Sequence, residues 1–224
     1  MNYALIDIHS HRPAPYPEGV ISLARLDEAL MEGQAYSAGI HPWDTAQASG
    51  QESAQASGQA PGEETFALLE RTAAREQVVA IGECGVDFLK GGPLFRQLQI
   101  LKQQIELSER LRKPLILHCV KGADIILGLR RDLKPTQPWA IHGFRGKPEL
   151  AAQLTAKGIY LSFGEKFNAE TVMQMPDDLI LAETDTSVLT IDEIIGNLSV
   201  AANRDLAGIV RANTRAFFGN ALGE

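Results

Sequence analysis

Five histidines carry the first chemical signal in this chain: His9, His11, His41, His118 and His142. Each falls at or just past the end of a short apolar run. Imidazoles gathered at one level of a fold can ligate metal ions or move protons. One residue separates His9 from His11, so on a strand both rings share a face and could share one ion. An isolated His-x-His also occurs as a solvated turn pair. Glu83 ends the run Val78-Val79-Ala80-Ile81-Gly82, where a carboxylate could bridge two cations. His118 ends Leu115-Ile116-Leu117 and His142 ends Trp139-Ala140-Ile141, and together they could hold a second ion. Asp185 follows Ile180-Leu181-Ala182-Glu183-Thr184; an aspartate there can bind a metal and take a proton from an attacking water. Taken singly, each residue also reads as a loop polar group or a helix N-cap. As a set they offer nitrogen and oxygen ligands that suit Zn, Mn, Ni or Mg without choosing among them.

Three neighbours of this set bear on it. Asp7 shares a face with His9; it reads as a carboxylate orienting a histidine, or equally as a structural acceptor for the next strand. Cys84 and Cys119 directly follow Glu83 and His118. Strand neighbours point to opposite faces, so both thiols should face the packing layer.

A scaffold that holds these positions together must end several strands at one rim. Eight apolar runs qualify: residues 3–8, 19–23, 34–40, 78–83, 114–118, 139–142, 158–163 and 179–183. Eight is the number a closed (β/α)8 barrel needs, and such barrels carry their active sites at the C-terminal ends of the strands. Leu94, Leu98, Leu101, Ile105 and Leu107 mark the apolar face of a helix over residues 94–111. Further helices are expected over residues 149–157 and 200–218. Strands alternating with helices imply parallel pairing. The stretch Pro13-Ala14-Pro15-Tyr16-Pro17 cannot form an ordinary helix, so the first crossover should be shortened. The expectation is an α/β, TIM-type barrel in one domain over residues 1–224. Residues 44–64, which repeat Gln-Ala-Ser-Gly-Gln, read as a flexible surface insertion with room for some helix.

Bulk composition narrows the function. The 224 residues carry a net charge of -7, which argues against a broad basic surface for nucleic acid. It leaves room for a locally positive site, because two divalent ions outweigh two ligand carboxylates. Two cysteines do not make a disulfide scaffold. No apolar run is long enough to span a bilayer, and the N-terminus lacks a signal peptide's pattern, so a cytoplasmic location is expected.

The chain resembles the TatD-like metal-dependent hydrolases, a branch of the amidohydrolase-type barrels. The matching segments are Ile6-Asp7-Ile8-His9-Ser10-His11, Gly39-Ile40-His41-Pro42, Gly82-Glu83-Cys84-Gly85-Val86-Asp87, Leu117-His118-Cys119, Ile141-His142-Gly143-Phe144-Arg145-Gly146, Leu161-Ser162-Phe163-Gly164 and Ala182-Glu183-Thr184-Asp185. The resemblance implies two divalent ions. His9, His11 and Asp185 would hold one, His118 and His142 the other, with Glu83 bridging. It implies catalytic roles for Asp185 and for His41, the latter facing substrate, with Arg145 or Lys166 as a rim cation. It implies a deoxyribonuclease or exonuclease acting on a DNA end or a small phosphoester; hydrolysis of a small amide, lactone or phosphotriester is the alternative. Two departures concern substrate contacts. Trp43 stands where the family commonly has a second histidine, and Thr186-Ser187 replaces a frequent Ala-Pro.

Overall fold

The computed structural model describes residues 4–45 and 62–219. Eight parallel strands close into a barrel in sequence order. They are β1 (Asp7–Ser10), β2 (Gly19–Ser22), β3 (Ala35–Ala38), β4 (Val78–Asp87), β5 (Leu115–Val120), β6 (Trp139–Ile141), β7 (Ile159–Phe163) and β8 (Ile180–Ala182). The helices are α1 (Glu63–Ala73), α2 (Leu94–Leu111), α3 (Ala123–Leu133), α4 (Pro148–Thr155), α5 (Ala169–Gln174), α6 (Ile191–Ala202) and α7 (Ala207–Phe218).

Alternation along the strands sorts the core into two layers. Leu115 and Leu117, Trp139 and Ile141, and Ile180 and Ala182 pack in the large cluster under the helices. Ile116, Ala140 and Leu181 join Val79, Ala80, Phe217 and Phe218 in a smaller cluster inside the barrel. The next inward positions on β5, β6 and β8 are His118, His142 and Glu183, so the period of two carries an apolar plug into a polar rim. Cys84 is fully buried on the helix side, and Cys119 packs against that same layer, as strand parity predicts.

Several expectations are corrected. The first strand runs Asp7–Ser10 rather than over residues 3–8, because its ladder with β8 passes through Asp7–Ala182 and an isolated bridge from Ser10 to Asp185. Polar ladder residues hide such a strand from a search for apolar runs. No helix occupies the first crossover, as the prolines require, and none occupies the second, between β2 and β3. The single helix expected over residues 200–218 is two. Asn203 takes a left-handed conformation (φ 53°) that ends α6, and Arg204 bonds back to the carbonyls of Met173 and Met175. Of the insertion expected over residues 44–64, with room for some helix, the two ends are described. Asp44 and Thr45 sit in a 3-10 turn over Pro42–Thr45, and Glu63 and Glu64 open α1. Residues 46–61 lie outside the described residues.

Candidate metal centre

Glu83 sits at the middle of the rim because β4 bulges beneath it. Ile81 pairs with Leu115 but Cys84 with Leu117, so three steps of β4 span two of β5. Glycines flank the irregularity. Gly85 has φ +143°, and a Cβ there would lie 2.0 Å from the His118 carbonyl oxygen. Only glycine fits that conformation and that approach.

The two oxygens of Glu83 face different imidazoles. Oε1 is 3.3 Å from His9 Nε2 and 3.1 Å from His11 Nε2. Oε2 is 2.9 Å from His142 Nε2, 3.6 Å from His41 Nε2 and 3.7 Å from His118 Nδ1. Asp185 Oδ1 lies on the first side, 3.9 Å from His9 Nε2 and 3.7 Å from His11 Nε2. Asp185 holds a left-handed backbone (φ 50°). Its N–H donates to the His9 carbonyl and its carbonyl accepts from the His11 N–H, each at 3.0 Å, which locks it to β1. A non-glycine residue in that conformation costs on the order of 1 kcal/mol, and the two bonds to β1 hold it there.

Electrostatics follow from this crowding. Burial pushes the Glu83 carboxyl up, but His9, His11, His118 and His142 outweigh it and hold it far below the usual carboxylate range. Burial opposes a charge on His142, yet Glu183 and Glu83 raise its pKa to about 10. Glu83 also raises His11.

Among the described residues, two groups of ligand atoms lie close enough to hold an ion: His9, His11 and Glu83, and His41, Glu83 and His118. The fit is tested by unmet polar atoms. Both ring nitrogens of His9 are buried without a hydrogen-bond partner. Buried polar atoms are rarely left so. A cation beside His9 Nε2 would give that atom a partner, and the nitrogen and oxygen donors suit one. The residues present therefore fit divalent metal.

Sequence reasoning placed His9, His11, His41, Glu83, His118, His142 and Asp185 at one rim, and all of them meet there. Two carboxylates were not singled out. Asp87 Oδ2 lies 3.1 Å from His118 Nε2 and accepts the Trp43 indole N–H at 2.7 Å. Burial alone would raise its pKa; the Trp43, Leu89 and His118 contacts outweigh this and lower it. Glu183, fully buried, lies 3.4 Å from His142 Nδ1. Their one sequence signal was a place at the end of a rim strand, Glu183 two residues from Asp185 and Asp87 four from Glu83. Asp7 touches no imidazole. Its carboxylate accepts from the backbone N–H groups of His9 and Thr184, the Thr184 hydroxyl and Tyr16. Burial nevertheless raises its pKa to about 7. Of its two readings, the structural acceptor is the one observed. Arg145 and Lys166 are exposed.

Packing from outside steadies the rim. Gln104 of α2, fully buried, accepts from Ile40 N–H at 2.8 Å and donates to the Ile40 carbonyl at 3.1 Å, fixing the residue before His41. Gln97, also on α2, pins the loop after β4 in the same way.

A closed parallel barrel with histidines and carboxylates converging at its C-terminal rim defines the class: a metal-site barrel. The family follows from comparison. The family model described as TatD related DNase matches residues 19–218, and the chain belongs to that family. An uncharacterized metal-dependent hydrolase, YabD, of Bacillus subtilis is 32% identical over 137 residues, covering 57% of this chain and 54% of that protein. The 3'-5' ssDNA/RNA exonuclease TatD of Erwinia billingiae is 32% identical over 163 residues, covering 68% of this chain and 58% of its own. The chain thus spans a little over half the length of these curated relatives. In fold, it is similar to a hydrolase TatD family protein from Entamoeba histolytica, with TM-score 0.75 and 16% identity over 98% of this chain and 99% of that one. It is also similar to YJJV, a TatD homolog from Escherichia coli, with TM-score 0.73 and 18% identity over 97% of this chain and 99% of that one. Among the described residues no helix is long and apolar enough to cross a membrane.

Proposed function

We propose that this chain is a divalent-metal-dependent phosphodiester hydrolase that shortens the ends of single-stranded nucleic acid. The observation that carries the reading is Glu83, whose two oxygens each face a separate set of imidazoles. His9, His11 and Asp185 would hold one ion and His118 and His142 the other, with Glu83 between them. Ions held there would supply Lewis acidity and lower the pKa of a water. Zn, Mn, Mg and Ni all suit these donors. Every ligand-bearing strand belongs to the one closed sheet, which supports reading the chain as one hydrolase domain.

The remaining steps belong to side chains. Asp185, whose side chain is 29% exposed, has an open flank toward solvent and would take the proton of the attacking water. His41 Nδ1 accepts the Trp43 backbone N–H at 3.2 Å. Its neutral ring then carries hydrogen on Nε2, which makes His41 a donor to substrate oxygen rather than an ion ligand. Glu183 and Asp87 sit behind His142 and His118 and hold their rings. The similarity to a 3'-5' ssDNA/RNA exonuclease of Erwinia billingiae supports the substrate class. A net charge of -7 speaks for short contacts at an end over a long duplex track.

The test is a 3'-end degradation assay on single-stranded DNA and RNA with Mg2+, Mn2+ or Zn2+. Stepwise shortening is expected, falling on the order of a hundredfold or more in Asp185→Asn. No shortening with any of these ions, alongside turnover of small esters or amides, would move the substrate class and refute the nuclease reading.

A further inference from the structure

Trp43 stands at this rim outside the ligand set. Its ring is 46% exposed, so it could be a surface aromatic held there by packing. Its N–H edge is placed too deliberately for that. Indole Nε1 donates at 2.7 Å to Oδ2 of Asp87, a carboxylate only 3% exposed. The other oxygen, Oδ1, accepts the backbone N–H groups of Leu89 at 2.8 Å and Lys90 at 3.1 Å. Three donors thus fix the carboxylate plane, and the remaining acceptor capacity of Oδ2 points to His118 Nε2 at 3.1 Å. An acceptor so placed selects the tautomer that carries hydrogen on Nε2. The lone pair then lies on Nδ1, which faces Glu83 Oε2 at 3.7 Å and His142 Nε2 at 3.4 Å.

We propose that Trp43 is a positioning residue: through Asp87 it makes His118 present Nδ1 to the second ion. This inference rests on the two-ion reading above, and it concerns one side of Glu83 only. The residues His9, His11 and Asp185 on the other side make no contact with Trp43 among those described. The local fold supports the arrangement. Gln97 binds the carbonyls of Asp87, Lys90 and Gly92, and Gly92 N–H donates to the Thr45 hydroxyl at 3.1 Å. The turn that carries Trp43 and the loop that follows Asp87 are therefore tied together.

The deciding variant is Trp43→Phe, which keeps an aromatic ring and removes the N–H. Zinc binding is followed by calorimetry, and the His118 ring by long-range proton–nitrogen NMR correlation. One of the two binding steps should lose about tenfold in affinity while the other stays within about twofold, and Asp87→Asn should show its loss in that same step, nearer a hundredfold. In the spectrum, wild type should show a single His118 tautomer protonated on Nε2, and Trp43→Phe a mixture. Equal weakening of both steps, or two unchanged steps with an unchanged tautomer, would overturn the proposal. If wild type binds no zinc, the two-ion reading itself fails. The spectrum of the metal-free protein then decides the matter alone: a mixture only in Trp43→Phe supports the positioning role, and one tautomer in both proteins refutes it.

Discussion

Replacing Gln97 with leucine should weaken the fold and loosen the rim together. Gln97 is 2% exposed, and its amide oxygen accepts the Asp87 N–H at 2.8 Å. Its amide nitrogen approaches the carbonyls of Asp87 (2.9 Å), Lys90 (3.1 Å) and Gly92 (2.9 Å). An NH2 group has only two hydrogens, so those three contacts count as two bonds. With the Asp87 N–H that makes three, at about 1 kcal/mol each, or about 3 kcal/mol in all. For a chain of this size that corresponds to a melting temperature lower by roughly 6–12 °C. Leucine fills most of the space, so no large cavity adds to the loss. Gln97→Glu should be worse near neutral pH, because a carboxylate would face three carbonyl oxygens, and it should recover as acid protonates it. Denaturant unfolding measures the loss, and hydrogen exchange at the Asp87 amide reports whether the loop has opened. A loss below about 1 kcal/mol, or an Asp87 amide that stays protected, would refute this reasoning.

Other consequences follow from the same geometry. The metal-free protein holds a proton on His142, whose pKa is raised to about 10 against burial by Glu183 and Glu83, so loading an ion must expel it. Zinc affinity should therefore climb from pH 6 to 9 with proton release, seen by calorimetry in buffers of different ionisation enthalpy. The sign for the metal-free fold is the reverse: stability from His142 is complete below its unfolded pKa and is lost as pH rises through about 10. Gly85→Ala should cost about 3 kcal/mol or more, since its Cβ would meet the His118 carbonyl at 2.0 Å; the yield of folded protein and its melting temperature check this. Glu109 accepts the Thr136 N–H, the Thr136 hydroxyl and the Gln137 N–H, contacts that outweigh burial and lower its pKa. Glu109→Ala should cost about 1 kcal/mol at neutral pH. That difference should be complete above the ordinary glutamate pKa and fade as acid protonates the folded carboxylate.

The sequence and the fold agree where side-chain chemistry repeats along the chain. Strands β5, β6 and β8 are apolar runs ending in His118, His142 and the Glu183–Asp185 segment, and both their parity and their rim residues are legible from alternation alone. β1 was misplaced because its ladder residues, Asp7 and Ser10, are polar and are recognised only by their partners on β2 and β8. The break between α6 and α7 has no glycine or proline; a single left-handed asparagine makes it, and asparagine is also tolerated inside helices. Asp87 and Glu183 escaped notice for a related reason. Each acts on a histidine from another strand, and the register that brings them together depends on the β4 bulge and on barrel closure, which no local pattern reports.

Glu83 standing between two ions is the proposal on which the rest depends. The direct measurement is a crystal structure of the zinc-loaded protein with anomalous scattering collected at the zinc edge. Two peaks are expected, one among His9, His11 and Asp185 and one among His118 and His142, with one Glu83 oxygen on each. A single peak, or none, at full zinc loading would contradict it.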